Sequence, residues 1–70
     1  MTEEEKKKKL EAIKEKHPIG AIRWYFGKKC EVIDYDQVQS GFVYVVCNVE
    51  DPARGGFATR FLTPDTLKEK

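Results

Sequence analysis

The sequence predicts a small, mainly β domain behind a charged N-terminal helix. Residues 27–62 contain three consecutive strand-like runs divided by Gly-containing turns, and residues 2–16 are dominated by Glu and Lys around a thin apolar stripe. A chain of 70 residues allows one domain with a modest core. A sheet of so few strands encloses an interior only if it twists strongly and closes. We therefore prefer an antiparallel barrel of four to five strands over an open sheet. We therefore expect a helix over residues 1–17 and a small β-barrel domain over residues 18–70.

The N-terminal segment carries a start signal and a stop signal for a helix. Thr2 followed by Glu5 is a capping-box pattern, and Pro18 disfavours a helical conformation in the residue before it. Leu10 and Ile13 supply most of the apolar stripe, and a helix with so little to bury is marginal alone. Two interpretations stay open: a helix that supplies a surface for a partner, or a solvated and frayed extension, which we favour slightly.

Four strand-like runs and a final turn follow the helix. The run 42–49 is apolar on both faces, which predicts the central strand. Gly27 turns the chain after the first run, and Gly41 can take a positive φ in a hairpin loop. The segment 63–67 predicts one helical turn with a Thr cap, from which Leu67 packs back onto the core. The runs are residues 21–26, 28–36, 42–49 and 57–63, and in the last of them Phe57, Thr59 and Phe61 face opposite to Ala58, Arg60 and Leu62.

Three adjacent aromatic residues stand in the first run. Because side chains alternate along a strand, Trp24, Tyr25 and Phe26 cannot all be buried on one face. We expect Trp24 and Phe26 to face the core and Tyr25 to face solvent, with the reverse as the alternative. Aromatic side chains beside basic residues can stack on bases or anchor a protein interface, although a core with an ordinary surface Tyr explains them as well.

The two cysteines lie in neighbouring strand-like runs. A hairpin loop centred on Val38 and Gln39 would place Cys30 opposite Cys47. We expect reduced, packed thiols, because directly opposed strand cysteines need strained disulfide geometry and the chain opens with no export signal. No Cys-x-x-Cys spacing or fourth soft ligand is present, so no metal site is expected.

The order of strand, Gly turn, two long hairpin strands, further strand and final Pro-x-x-Leu turn resembles that of small SH3-like barrels over residues 19–67. The residues that carry this resemblance of layout are Gly20, Gly27, Gly41, Gly55, Gly56 and Pro64 to Leu67. Proteins with such barrels bind peptides, nucleic acids or larger assemblies, so the resemblance implies a binding role. The groove of signalling SH3 domains for proline-rich peptides is not implied, because its acidic loop and paired Trp are absent.

Composition argues against catalysis and against general binding of nucleic acid. The chain has one His, beside a Pro, one Ser in a polar loop, and no Gly-rich phosphate loop before a helix, so we expect neither an enzyme nor a cofactor. The net charge is +1, and both halves of the chain are balanced. A binder of duplex phosphates usually has a basic excess on one face. Acidic residues in and beside the strands would also weaken a local basic patch.

These observations predict a non-enzymatic adaptor or inhibitor that binds a larger protein partner through an exposed aromatic and charged barrel surface. A small β-barrel that binds nucleic acid is the alternative. The candidate partner-binding residues are Arg23, Trp24, Tyr25, Lys28, Lys29, Arg54 and Arg60; for Arg54, the Pro and Gly residues around it also explain the segment as a simple turn. No apolar run is long enough to span a bilayer, so we expect a cytoplasmic protein without membrane contact, a monomer or homodimer, of bacterial or viral origin.

Overall fold

A computed structural model describes residues 2–69 and has the expected mainly β architecture, a four-stranded antiparallel sheet with one N-terminal helix. The elements are α1 (Glu3–Lys16), β1 (Ile22–Tyr25), β2 (Lys28–Gln37), β3 (Val43–Asp51) and β4 (Gly56–Leu62), with 3-10 turns at Pro52–Arg54 and Pro64–Thr66. The strands lie side by side in chain order. The sheet is not closed, so the predicted barrel is not confirmed. The predicted outer limits at residues 1 and 70 lie outside the described residues.

The core lies on one side of the sheet. As predicted from its apolar sequence, β3 is a central strand between β2 and β4. Its Val45, Cys47 and Val49 side chains are fully buried on the core side, and Val46 is buried on the other side. The remaining buried members of the main cluster are Cys30, Val32, Leu62 and Leu67. Small β-branched side chains suit this position, since they pack well on a pleated surface with neighbours on both sides.

The register between β2 and β3 differs from the predicted one. Cys30 lies opposite Val49, and Cys47 lies opposite Val32, so the predicted pairing of the two cysteines is wrong. The reason is that the hairpin loop is centred further along the chain, with the Val38 amide donating to the carbonyl of Phe42 at 3.0 Å. A bulge between Val32 and Asp34 moves the register back by one residue, which offsets only part of this shift. Both thiols are nevertheless buried, free and part of the same core cluster, as expected of packed cysteines.

The turn positions follow the glycines. Gly41 takes φ of 94° in the loop between β2 and β3, as predicted. Gly55 takes φ of 71° and ends the 3-10 turn Pro52–Arg54 that leads into β4. Only Gly adopts such angles without a steric cost, because it lacks Cβ.

Helix α1 begins at the predicted cap and docks on the core side of the sheet. The Glu5 amide donates to Thr2 Oγ1 at 3.2 Å, and the helix ends at Lys16. Ile13 packs against the core cluster, and Gln37 Nε2 donates to the carbonyl of Lys6 at 2.7 Å. The interpretation of α1 as a solvated, frayed extension is therefore wrong. Its thin apolar stripe and hydrogen bonds from the sheet together hold the helix in place.

The end of the chain returns to β1. The predicted turn is present as the 3-10 turn Pro64–Thr66, and Leu67 is buried in the core. The Thr63 side chain does not cap it, in contrast to the prediction. Beyond Leu67, the amides of Trp24 and Lys68 donate to each other's carbonyls at 2.8 and 2.9 Å. This single bridge sets the C-terminal segment beside the free edge of β1.

Candidate protein-binding surface

The side of the sheet that faces away from helix α1 is open to solvent, and we call it the outer face. The register assigns thirteen residues to it, since neighbours paired across strands share a face. They are Ile22, Trp24, Lys29, Glu31, Asp34, Asp36, Tyr44, Val46, Asn48, Glu50, Phe57, Thr59 and Phe61. A one-sided core with a solvated second face is typical of antiparallel sheets, but such a face is usually polar. The outer face of this sheet carries large apolar and aromatic side chains among its polar ones.

Two phenylalanines on β4 dominate the outer face. Phe57 is 69% exposed and Phe61 is 59% exposed. They lie opposite Glu50 and Val46 of β3, and β4 has no further strand beyond it in the sheet order. Neither ring is needed to fill the core, which Ala58 and Leu62 reach from the same strand. Large exposed apolar side chains rimmed by polar residues are typical of an interaction site.

The outer face is also acidic. Glu31, Asp34, Asp36 and Glu50 stand there with Lys29 as the one cation, and four carboxylates against one ammonium give a formal net charge of −3. All five side chains are exposed. Among residues 2–69 the ion pair between Arg54 and Asp51, at 3.5 Å, is the only one, so the carboxylates of the outer face are not neutralised by a neighbour. The chain as a whole is balanced, but this surface is not.

The basic residues predicted from the sequence do not share one surface. Trp24 and Lys29 lie on the outer face, whereas Arg23, Tyr25 and Arg60 lie on the core side of their strands. Lys28 is exposed at the start of β2, and Arg54 stands on the 3-10 turn, paired with Asp51. The structure therefore brings together one cation and one aromatic residue of the predicted set, and it separates the rest.

The Arg23 side chain makes its hydrogen bonds within the fold. Its Nε donates to His17 Nδ1 at 3.0 Å, and its terminal nitrogens donate to the carbonyls of Lys16 at 2.9 Å and Ile22 at 2.8 Å. The guanidinium thus holds the C-terminal end of α1 against β1. A side chain with these three bonds is a structural clamp, since its planar fork of donors is already committed.

The aromatic run Trp24 to Phe26 has the opposite arrangement to the predicted one. Tyr25 packs against the core cluster, and Phe26 is 78% exposed. Phe26 takes φ of 47° and Gly27 takes φ of 79°, so these two residues form the tight turn of the β1–β2 hairpin. A bulky residue with positive φ is a steric outlier, and its ring lies edge-on to Tyr25 with centroids 4.6 Å apart. The preferred orientation is therefore wrong and the alternative is observed, because alternation along β1 has the phase that turns Tyr25 toward the core and Trp24 away from it.

The buried titratable groups serve the fold. His17 is 2% exposed, and burial together with the nearby charges of Arg23 and Lys16 lowers the pKa of its imidazole. Burial raises the pKa of Cys47 to about 12 and raises that of Cys30 as well. Thiols kept protonated are poor nucleophiles and poor metal ligands. Within residues 2–69, no three His, Cys, Asp or Glu side chains are grouped to hold a metal ion.

Sequence reasoning missed Phe57 and Phe61 as site residues. The alternation along the fourth run already placed them on one face with Thr59, opposite to Ala58 and Leu62. The missing step was to ask which of these faces reaches the core. That answer depends on where α1 and the C-terminal turn pack, which local alternation does not specify.

Comparison of the chain with protein-family models, with curated proteins and with solved structures finds no match. In the part of the chain that the structure describes, no helix has the length and apolar character needed to cross a bilayer. Function is therefore argued from the outer face itself.

Proposed function

We propose that the protein is a non-enzymatic protein-binding module, an adaptor or inhibitor of a larger protein, that contacts its partner through the outer face. The exposure of Phe57 and Phe61 on one side of an edge strand carries this proposal. Rigid aromatic side chains are enriched among the residues that dominate binding energy, because they bury a large area at a small entropic cost. Val46 is only 7% exposed although it stands on the same face, so the Phe61 ring has an apolar neighbour on β3.

The charge of the outer face favours a protein over a nucleic acid. Binding of phosphates is driven by Lys and Arg that displace counterions, and a surface with a net charge of −3 repels a polyanion. Phe57 stands opposite Glu50, and Phe61 stands two strands away from Asp34, with Val46 between them. Stacking on bases would bring a phosphate backbone toward these carboxylates. The basic residues that a nucleic-acid site needs lie on other surfaces.

The proposal includes a finer description of the fold. We infer an SH3-like barrel in which the C-terminal segment is the fifth strand, and the return of Lys68 to Trp24 supports this. The two buried, unbonded cysteines suit a reducing compartment, so a cytoplasmic location belongs to the same proposal. The partner is not a membrane, and the free protein is a monomer or a homodimer.

The proposal is tested by capture from a native lysate with three tagged proteins, each with and without nuclease. They are the wild type, the double variant F57S/F61S, and the control Ile19→Ser. Ile19 is 64% exposed but precedes the sheet, so the control removes a similar apolar surface elsewhere. We expect a stoichiometric protein that survives nuclease with the wild type and the control and is lost with the double variant.

Two results would contradict the proposal. Recovery that disappears after nuclease treatment would point to nucleic acid. Equal recovery by the double variant, shown by circular dichroism to be folded, would move the contact to another surface.

A further inference from the structure

We propose that the outer face binds a cationic segment of a protein, one that presents Arg or Lys side chains next to an apolar side chain. This inference rests on the proposed function and names the chemistry of its partner. It is carried by the coincidence of unpaired carboxylates and apolar side chains in one groove.

The groove lies across the sheet between β1 and β4. It has a volume of about 310 Å³ and is lined by Ile22, Lys29, Cys30, Glu31, Glu50 and Phe57. Ile22 lies opposite Glu31, and Phe57 lies opposite Glu50, so each carboxylate has an apolar side chain beside it on the neighbouring strand. Three strand spacings separate the two walls, which is about 14 Å. An extended segment of about four residues spans that distance.

Arginine and lysine match this pattern of side chains. Their aliphatic stems can lie along Ile22 or the Phe57 ring while the cationic end reaches a carboxylate. A guanidinium over an aromatic face is attracted by the ring, and its hydrogen bonds to a carboxylate are stronger than those between neutral groups. An apolar side chain between two such cations would cover the groove floor and exclude water from both ion pairs. Lys29 precedes Cys30, which pairs with Val49, so the register places Lys29 beside Glu50 on the outer face. Its ammonium group therefore limits where a second cation can sit.

Charge also excludes the two other obvious occupants. A second copy of this chain placed face to face would oppose two surfaces of net charge −3, and like charges across an interface are strongly unfavourable. A nucleic acid would bring phosphates to the same carboxylates. Of these macromolecular partners, only a cationic protein segment carries a charge opposite to that of the outer face.

The experiment uses a short fluorescent peptide in which Arg and Leu alternate, and a matched peptide with Glu in place of Arg. Binding is measured by fluorescence anisotropy at increasing NaCl, and amide chemical shifts locate the contact. The test variant is E31Q/E50Q. The control is E11Q/E15Q, which makes the same change in net charge at exposed positions of α1.

We expect the Arg peptide to shift amides of the outer face and the Glu peptide to leave them unchanged. The E31Q/E50Q variant should weaken binding about fivefold or more, which is the loss expected for two partly desolvated ion pairs, and the control should not. Added salt should weaken the wild type and affect E31Q/E50Q little.

The outcomes separate this inference from the proposed function. If both peptides bind the outer face equally and F57S/F61S abolishes binding, protein binding stands and the cationic partner is refuted. If E31Q/E50Q and the control lose affinity equally, net charge alone is responsible and the groove is refuted. If neither peptide perturbs the outer face, the inference fails, and the lysate experiment decides the proposed function independently.

Discussion

Replacing Arg23 with Ala should cost stability and leave partner binding intact, although the sequence marks Arg23 as a partner-binding residue. The change removes the bond from Arg23 Nε to His17 Nδ1, at 3.0 Å, and the bond to the carbonyl of Lys16, at 2.9 Å. Losing the bond from Arg23 leaves His17 Nδ1, a buried acceptor, without a donor, which costs about 1–3 kcal/mol. The carbonyls of Lys16 and Ile22 are exposed and regain water, so they add little. We expect the free energy of unfolding to fall by about 1–3 kcal/mol.

The measurement is urea denaturation followed by circular dichroism, with Arg60→Ala as the matched control. Arg60 is exposed on β4 and has no hydrogen bond from its side chain among the described residues, so its loss should change stability by less than about 0.5 kcal/mol. For a domain of this size, whose stability is on the order of 5 kcal/mol, the predicted loss is a large fraction. Equal stabilities of the two variants, together with loss of partner binding by Arg23→Ala alone, would refute the clamp.

Three further predictions follow from the buried and strained groups. Burial lowers the pKa of His17, so its neutral form contributes stability that is complete above the unfolded pKa of about 6.5 and is lost as the pH falls below that value. The midpoint of urea unfolding should therefore decline in acid, and His17→Gln should remove this part of the decline. Cys47 has a pKa of about 12 in its buried site, so the native protein at pH 8 should resist thiol reagents that label the unfolded chain; rapid labelling of the native state would contradict the packing. Phe26 has a positive φ before Gly27, so Phe26→Asn should raise the free energy of unfolding by about 0.5–1 kcal/mol; a lower thermal midpoint would show that the ring stabilises the hairpin.

Local patterns were sufficient for most of the elements of this fold. The capping box at Thr2 and Glu5, the continuous apolar run of β3 and the positive φ of Gly41 are each determined by residues close in the chain. Their interpretation needed no knowledge of the tertiary structure. Pairing between elements was less accessible, since the bulge after Val32 and the exact loop centre shift the register by amounts that no local signal gives.

The candidate surface now proposed differs in position from the one predicted from the sequence. An aromatic and charged surface was expected, but the expected residues were chosen because they are adjacent in sequence, from Arg23 to Lys29. The surface is instead assembled across strands, where Glu50 meets Phe57 and Val46 meets Phe61. The bond from Arg23 to His17 was not predicted either, because the two residues are six positions apart and strand patterns do not report such contacts.

The acidity of the outer face also resolves a difficulty that its aromatic residues create. A sheet face that exposes Phe57 and Phe61 invites stacking against the same face of another copy, and β4 itself contributes no charge to that face. Its only charge, Arg60, points to the other side of the strand. Glu50, on the adjacent strand, places a carboxylate beside the exposed ring, so two such faces repel each other when they meet. The same carboxylates that favour a cationic partner therefore disfavour self-association, and neutralising Glu31 and Glu50 should both weaken the peptide complex and increase the tendency of the free protein to associate.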